Sequence, residues 1–141
     1  MINLSKSSPK ILVIGDLIID HYLWGSSNRI SPEAPVPIVS INKESTMLGG
    51  AGNVLNNLNS LGAKIDVISV VGDCENSDSM KALLNEINID TQYLILEKGR
   101  IASKKSRIII SQQQVVRYDR ESSTTINENS EETIMNYYKE I

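Results

Sequence analysis

Leu48-Gly49-Gly50-Ala51-Gly52-Asn53-Val54-Leu55 sets three glycines in four positions directly ahead of a helical pattern. Glycines let the backbone turn where a Cβ would clash and approach a ligand closely. Val54, Leu55, Leu58 and Leu61 follow as one apolar face at the helical period, so the loop delivers its N–H groups to a helix N-terminus. Such an end holds anionic or oxygen-rich ligands, and a tight turn entering an ordinary helix is the plainer alternative. Two nucleotide motifs fail on spacing. Counted from Gly50 and Gly52, the last glycine of a dinucleotide fingerprint would fall at Leu55, and no Gly-Lys-Ser/Thr follows to make a phosphate loop.

Upstream, Lys10 to Asp20 is a continuous apolar run ended by Gly and Asp, the pattern of a strand buried on both faces in a parallel sheet. Asp16 and Asp20 then lie at or past its C-terminal end, where open α/β sheets bind ligands, or they are simply a turn residue and a solvated one. His21 to Gly25 suggests a short strand. The three prolines of Ser31 to Pro37 require an extended connection, and Val36 to Glu44 reads as a strand leading to the glycines.

Downstream, Ile65 to Val71 is a strand closed by Gly72-Asp73. Asn76 to Asn88 is a helix with Met80, Leu83, Leu84 and Ile87 on one face and Ser77 or Asn76 as its cap. Tyr93 to Glu97 is a short strand, and Arg107 to Ser111 with Gln114 to Asp119 reads as a hairpin around Gln112-Gln113. A last helix starts at a capping box of Asn129 and Glu132 and turns Ile134, Met135, Tyr138 and Ile141 inward. The order predicts an α/β core, a mainly parallel sheet flanked by helices, with a small β lid. Its segments are 10–20, 48–92 and 129–141 for the core and about 21–47 and 93–120 for the lid.

With 141 residues and 40% hydrophobic content, the chain fits one domain able to bury a core. No apolar run is long enough to span a membrane, and Met1 to Pro9 lacks the build of a secretory signal, so a cytoplasmic enzyme or binding domain is expected. Cys74, the single cysteine, reads as a small buried or turn residue, and with His21 it makes no zinc-ligand set; no metal site is expected. His21 reads as a lid or turn residue. The net charge of −3 hides a basic segment: Lys98, Arg100, Lys104, Lys105, Arg107, Arg117 and Arg120 stand against Asp119 alone between residues 98 and 120. A local positive field attracts phosphate, but with Tyr118 its sole aromatic this segment is a poor stacking surface for nucleic acid, and none is expected as a partner.

Gly15 with Asp20, the Gly49-Gly50-Ala51-Gly52-Asn53 cluster, Gly62 and Gly72 together resemble the first signature of the ribokinase-like (PfkB) sugar kinases. Leu55 stands where that family usually has Ser, Thr or Ala. Within the family the chain is most similar to the D-glycero-β-D-manno-heptose 7-phosphate kinases. The residues that carry this are Trp24-Gly25, Arg29-Ile30-Ser31-Pro32-Glu33-Ala34-Pro35-Val36-Pro37, Lys105-Ser106-Arg107 and Gln113 to Asp119.

The resemblance implies the N-terminal, sugar-binding part of a ribokinase-like domain, incomplete relative to the family. Asp20 would accept sugar hydroxyls, the loop of Gly49, Gly50 and Asn53 would close on the ring, and Arg107 and Lys105, then Arg29, Gln114 and Arg117, would hold the 7-phosphate. Trp24 packs in the lid or meets the sugar. No catalytic residue is expected in this chain, because the family's base aspartate and most of its site for ATP and Mg²⁺ lie in the C-terminal half. The chain alone should therefore bind neither tightly and transfer phosphate poorly at best. The implied partners are a sugar phosphate, a second copy paired through the lid, and a C-terminal half or an adenylyltransferase domain. A non-catalytic sugar-phosphate-binding or dimerisation module is the alternative.

Overall fold

The computed structural model describes residues 8–141; the reading of the N-terminus over residues 1–7 lies outside them. The described residues build two sheets. A parallel core sheet has the order β1 (Lys10–Ile14), β4 (Lys64–Gly72), β5 (Leu94–Glu97). A mixed sheet has the order β3 (Pro37–Gly50), β2 (Leu17–Ile30), β6 (Ser103–Ile110), β7 (Gln113–Arg120). Helices α1 (Ala51–Ser60), α2 (Glu75–Glu86) and α3 (Glu128–Glu140) complete it. Val67, Ile68 and Ser69 are buried in succession, as a parallel strand covered on both faces requires.

The run from Lys10 to Asp20 is not one strand. Gly15 and Asp16 break it; β1 stays in the core sheet and β2 leaves for the second. Asp20 therefore sits inside a lid strand rather than beyond a core strand's end. Both strands need apolar residues at their start, so the hydrophobic pattern runs through the break. At the other boundary, β5 pairs with β4, so residues 94–97 belong to the core sheet and not to the lid.

The lid is also larger than expected. β2 and β3 are 14 residues each, and β3 continues through the glycines: Gly49 pairs with Ile18 and Gly50 with Leu17. The anticipated loop is thus the end of a strand, with α1 starting on the next residue. The proline segment is a closed turn, not an extended one, since Ser31 N–H donates to Val36 at 2.8 Å and Val36 N–H to Ala34 at 2.7 Å.

The helices differ from the sequence pattern at their caps and faces. In α1 Leu55 is fully buried and Gly52 faces the same way, whereas Val54 is 47% exposed and Leu61 82%. Positions 54 and 61 lie two turns apart on the outward stripe. In α2 Met80 and Leu84 are fully buried; Cys74 takes the cap position, Ser77 Oγ donates back to Gly72, and Asn76 donates to the Ala102 carbonyl at 3.2 Å. α2 ends at Glu86, with Asn88 in the left-handed region at φ 57°.

The cap of α3 is Asn127, whose side chain accepts from Ser130 N–H at 2.8 Å, two residues earlier than the Asn129–Glu132 box. Met135 and Tyr138 point outward, while Tyr137 packs edge-on against Tyr93 at 5.1 Å between centroids. Glu97, the last residue of β5, anchors this helix: its carboxylate accepts from Ser130 Oγ at 2.7 Å, Asn127 N–H at 3.1 Å and Arg100 at 3.2 Å.

Leu55→Ala should cost ~3 kcal/mol by emptying a closed site, and Val54→Ala well under ~1 kcal/mol, in urea unfolding. Equal costs would contradict the observed rotation of α1. Glu97 titrates below its ordinary value of 4.5, first because of the Ser130 hydroxyl. Its contribution is complete above the unfolded value and is lost as pH falls through the lower folded one. Hydrogen exchange in α3 should therefore accelerate below about pH 4, with Glu97→Gln removing that pH dependence.

Candidate functional site

Alternation along β2 sorts its side chains onto two faces. Asp20, Tyr22 and Trp24 share one. Pairing brings Lys105 and Arg107 from β6, Arg117 and Asp119 from β7, and Lys43, Met47 and Gly49 from β3 onto that same face. His21 and Leu23 share the other with Ser106, Ile108, Val116 and Tyr118.

The centre of the first face is an ion pair between Arg107 Nη1 and Asp20 Oδ1, residues 87 apart in sequence. Their side chains are 20% and 21% exposed. Asp20 holds the guanidinium even more firmly protonated than usual. Arg107 also lies over the Tyr22 ring at 5.2 Å, Tyr22 stacks on Trp24 at 5.6 Å and 19°, and Lys43 caps Trp24 at 4.9 Å. The result is a ladder in which two cations bracket two rings.

The other carboxylate oxygen, Asp20 Oδ2, rests on Gly49, where an added Cβ would overlap it. Gly50 is required for a second reason. Its φ is 57°, and a Cβ there would lie 2.6 Å from the Asp16 carbonyl. The glycines thus pin the β3 end against Asp20 and turn the chain into α1.

Lys105 sits between Asp119 at 3.3 Å and Glu121 at 3.2 Å, and Glu121 first, then Asp119, raises its pKa. Arg117 Nε pairs with the same Asp119 at 3.1 Å. The remaining expected residues are not gathered here. Asn53 is on the exposed side of α1, Gln114 is exposed opposite Ile109, and Arg29 is nine residues beyond Asp20 along β2, ~30 Å at the rise of a strand.

One constellation had no sequence signal. His21 is buried at 4% exposure, with Nδ1 2.9 Å from Ser106 Oγ and Nε2 bonded to Glu44 Oε1. It ties β6, β2 and β3 together from the back of the site, and its partners lie 85 and 23 residues away. The Tyr22–Trp24 ladder was legible in principle, as two aromatics two residues apart in a strand share a face.

Two concavities lie at the base of the lid. One of about 200 Å³ is lined by Asp16, Val71, Arg100, Ala102 and Ser123 among others, and one of about 610 Å³ by Cys74, Asn76, Ile101 and Arg120. Asp20 and Arg107 line neither; they occupy the open sheet face. Among the described residues no group of three or more His, Cys, Asp or Glu side chains is placed to hold a metal ion.

Residues 8–139 match the family model described as pfkB family carbohydrate kinase. The chain is 61% identical over 132 residues to the Bifunctional protein HldE of Aliarcobacter butzleri and 54% identical over 133 residues to that of Sulfurimonas denitrificans, covering 94% of this chain and 28% of each relative. It therefore spans little more than a quarter of the length of these relatives. Among solved structures, a putative sugar kinase from Clostridium perfringens superposes with TM-score 0.68 at 16% identity, over 95% of this chain and 42% of the other. Arabidopsis thaliana ribokinase, complexed with ribose and ATP, gives 0.60 at 13% identity, over 92% and 43%. The fold is ribokinase-like α/β, and the chain covers only part of it.

Gly49→Ala should cost ~2 kcal/mol in urea unfolding by driving the new methyl into Asp20. In an Asp20→Ala background the same change should cost less than ~1 kcal/mol, the deficit being the coupling between the two positions. An unchanged cost would show that Gly49 is needed for something other than the carboxylate.

Proposed function

We propose that this chain, which belongs to the pfkB family of carbohydrate kinases, is the sugar-binding portion of a heptose kinase. The intact enzyme would phosphorylate the anomeric hydroxyl of D-glycero-β-D-manno-heptose 7-phosphate, giving the 1,7-bisphosphate in the cytoplasm for ADP-heptose and lipopolysaccharide core synthesis. The observation that carries this reading is the pairing of Asp20 and Arg107 on one face of the lid beside Gly49. A carboxylate accepts sugar hydroxyls, and a guanidinium fork takes a phosphate dianion. The resemblance of Trp24-Gly25, the Arg29 to Pro37 string and Lys105-Ser106-Arg107 to heptose 7-phosphate kinases, with 61% and 54% identity to two proteins named Bifunctional protein HldE, supports the choice of sugar.

In this reading Asp20 orients the ring and Gly49 and Gly50 keep the β3 end close enough for backbone groups to reach it. Arg107, with Lys105 as a second cation, holds the 7-phosphate at the end remote from the reacting 1-hydroxyl. Arg29, Gln114, Arg117 and Asn53 are assigned lesser parts at the rim. ATP with Mg²⁺ supplies the phosphoryl group and charge neutralisation in kinases of this kind. The donor side is assigned, as the family resemblance implies, to the part of the relatives that this chain does not span. That part, an adenylyltransferase domain, and a second copy bound through the apolar back of the lid at Val116 and Tyr118 are the partners proposed.

Calorimetry should detect heptose 7-phosphate binding to the 141-residue chain, weakened about tenfold or more in Arg107→Met, the worth of one charge-assisted hydrogen bond. The chain alone should turn over no ATP with the sugar. A folded chain that ignores heptose 7-phosphate, or that instead binds single-stranded oligonucleotides in a salt-sensitive way, would overturn the assignment.

A further inference from the structure

The two groups assigned to opposite ends of the substrate are bonded to each other. Asp20 Oδ2 is packed on Gly49, and Oδ1, the oxygen left over, is the one Arg107 occupies. A sugar hydroxyl donating to Oδ1 competes with a guanidinium for it. Likewise, Arg107 engages Asp20 and, at 3.4 Å, the Lys105 carbonyl through the same Nη1, so a phosphate held by a fork that includes Nη1 competes with the carboxylate for that donor. Lys105 does not offer an easy substitute, because Asp119 and Glu121 already share it. Arg107 has somewhere to pivot: the Tyr22 face under its guanidinium supports the side chain at 5.2 Å while the head changes partner.

Resting on the sugar-phosphate reading above, we infer that the Asp20–Arg107 pair is a latch exchanged on binding, which makes recognition of the phosphate and of the sugar hydroxyls mutually dependent. Phosphate removes Arg107 and exposes Asp20; hydroxyls take Asp20 and release Arg107. Each half of the substrate bears the cost of breaking the same bond, and a ligand with both halves bears it once. Arg107 is then a specificity-determining residue that penalises unphosphorylated sugars by occupying their acceptor, and it does so before any phosphate is bound. A fixed pair, in which Arg107 bridges Asp20 and phosphate together, would show none of this.

The test splits the substrate into inorganic phosphate and unphosphorylated D-glycero-D-manno-heptose and titrates each into the 141-residue chain by NMR, alone and with the other saturating. The latch requires each fragment to tighten the other by the same factor, about fivefold or more, because coupling between two ligands is reciprocal. In Asp20→Asn, which keeps the shape and drops the charge, phosphate should bind several-fold more tightly than to the unaltered chain. In Arg107→Met the free heptose should gain affinity while heptose 7-phosphate loses it. If phosphate alone is undetectable on the unaltered chain, its binding should emerge in Asp20→Asn. Independent or antagonistic fragments, or an Asp20→Asn chain with no gain for phosphate, would overturn the latch. Binding of heptose 7-phosphate to the unaltered chain would leave the functional assignment standing in that case.

Discussion

β2 has a partner along each edge, β3 antiparallel and β6 parallel, and this double pairing fixes which side chains can meet. Asp20 lies opposite Met47 on one side and Lys105 on the other, so its neighbours on the face are decided by register before any side chain interacts. A slip of β2 by one residue against both neighbours would turn Asp20 to the back and bring His21 to the front. Two features pin the register. The glycines at the end of β3 tolerate the close approach to Asp20 and Ile18, and His21 bonds across both ladders at once through Ser106 and Glu44. His21, which reads from the sequence as a lid or turn residue, thus has a physical task in holding the face that carries Asp20 and Arg107 in order.

Much of the architecture was legible because it rests on periodicity and punctuation. The parallel strand at Ile65–Val71, the α2 face at Met80 and Leu84 and the β6–β7 hairpin all carry local signals, and the structure has them within a few residues. What failed shares a cause. The division of Lys10–Asp20 between two sheets leaves hydrophobicity unbroken, and the extension of β2 and β3 to 14 residues passes through Gly25, Gly49 and Gly50, which locally read as stops. Pairing with a neighbour compensates for residues of low strand propensity, and that compensation is nonlocal. The α1 face was misread because Val54 and Leu61 complete a helical stripe on paper, while Gly52 is what allows close packing on Leu48.

For the candidate site, residue types were readable and their company was not. The basic run from 98 to 120 looked like an open positive field. Four of its seven cations, Arg100, Lys105, Arg107 and Arg117, are in ion pairs: Asp20 comes from far up the chain, Glu97 and Glu121 flank the run, and Asp119 lies within it. Counting charges within a window overstates the potential when strand pairing delivers the counter-charges from elsewhere. What is left is a face of discrete pairs, better suited to exchanging partners with one small polyanion than to lying along an extended one.

The lid contributes little to the hydrophobic core. Its residues in the buried cluster are Leu17 and Ile19 at the start of β2, Leu48 near the end of β3 and Ala102 just ahead of β6, all at the base. Beyond Asp20 the sheet is held by its ladders, by the His21 brace and by the pairs on the front face, with Val116 and Tyr118 left exposed on the back. Segments with few buried apolar contacts open at lower free energy than the core they are attached to. Because part of the lid's cohesion is the Asp20–Arg107 bond itself, a ligand that replaces that bond with its own hydroxyl and phosphate contacts does two things at once. It satisfies both charged groups, and it makes the order of the outer sheet depend on its presence.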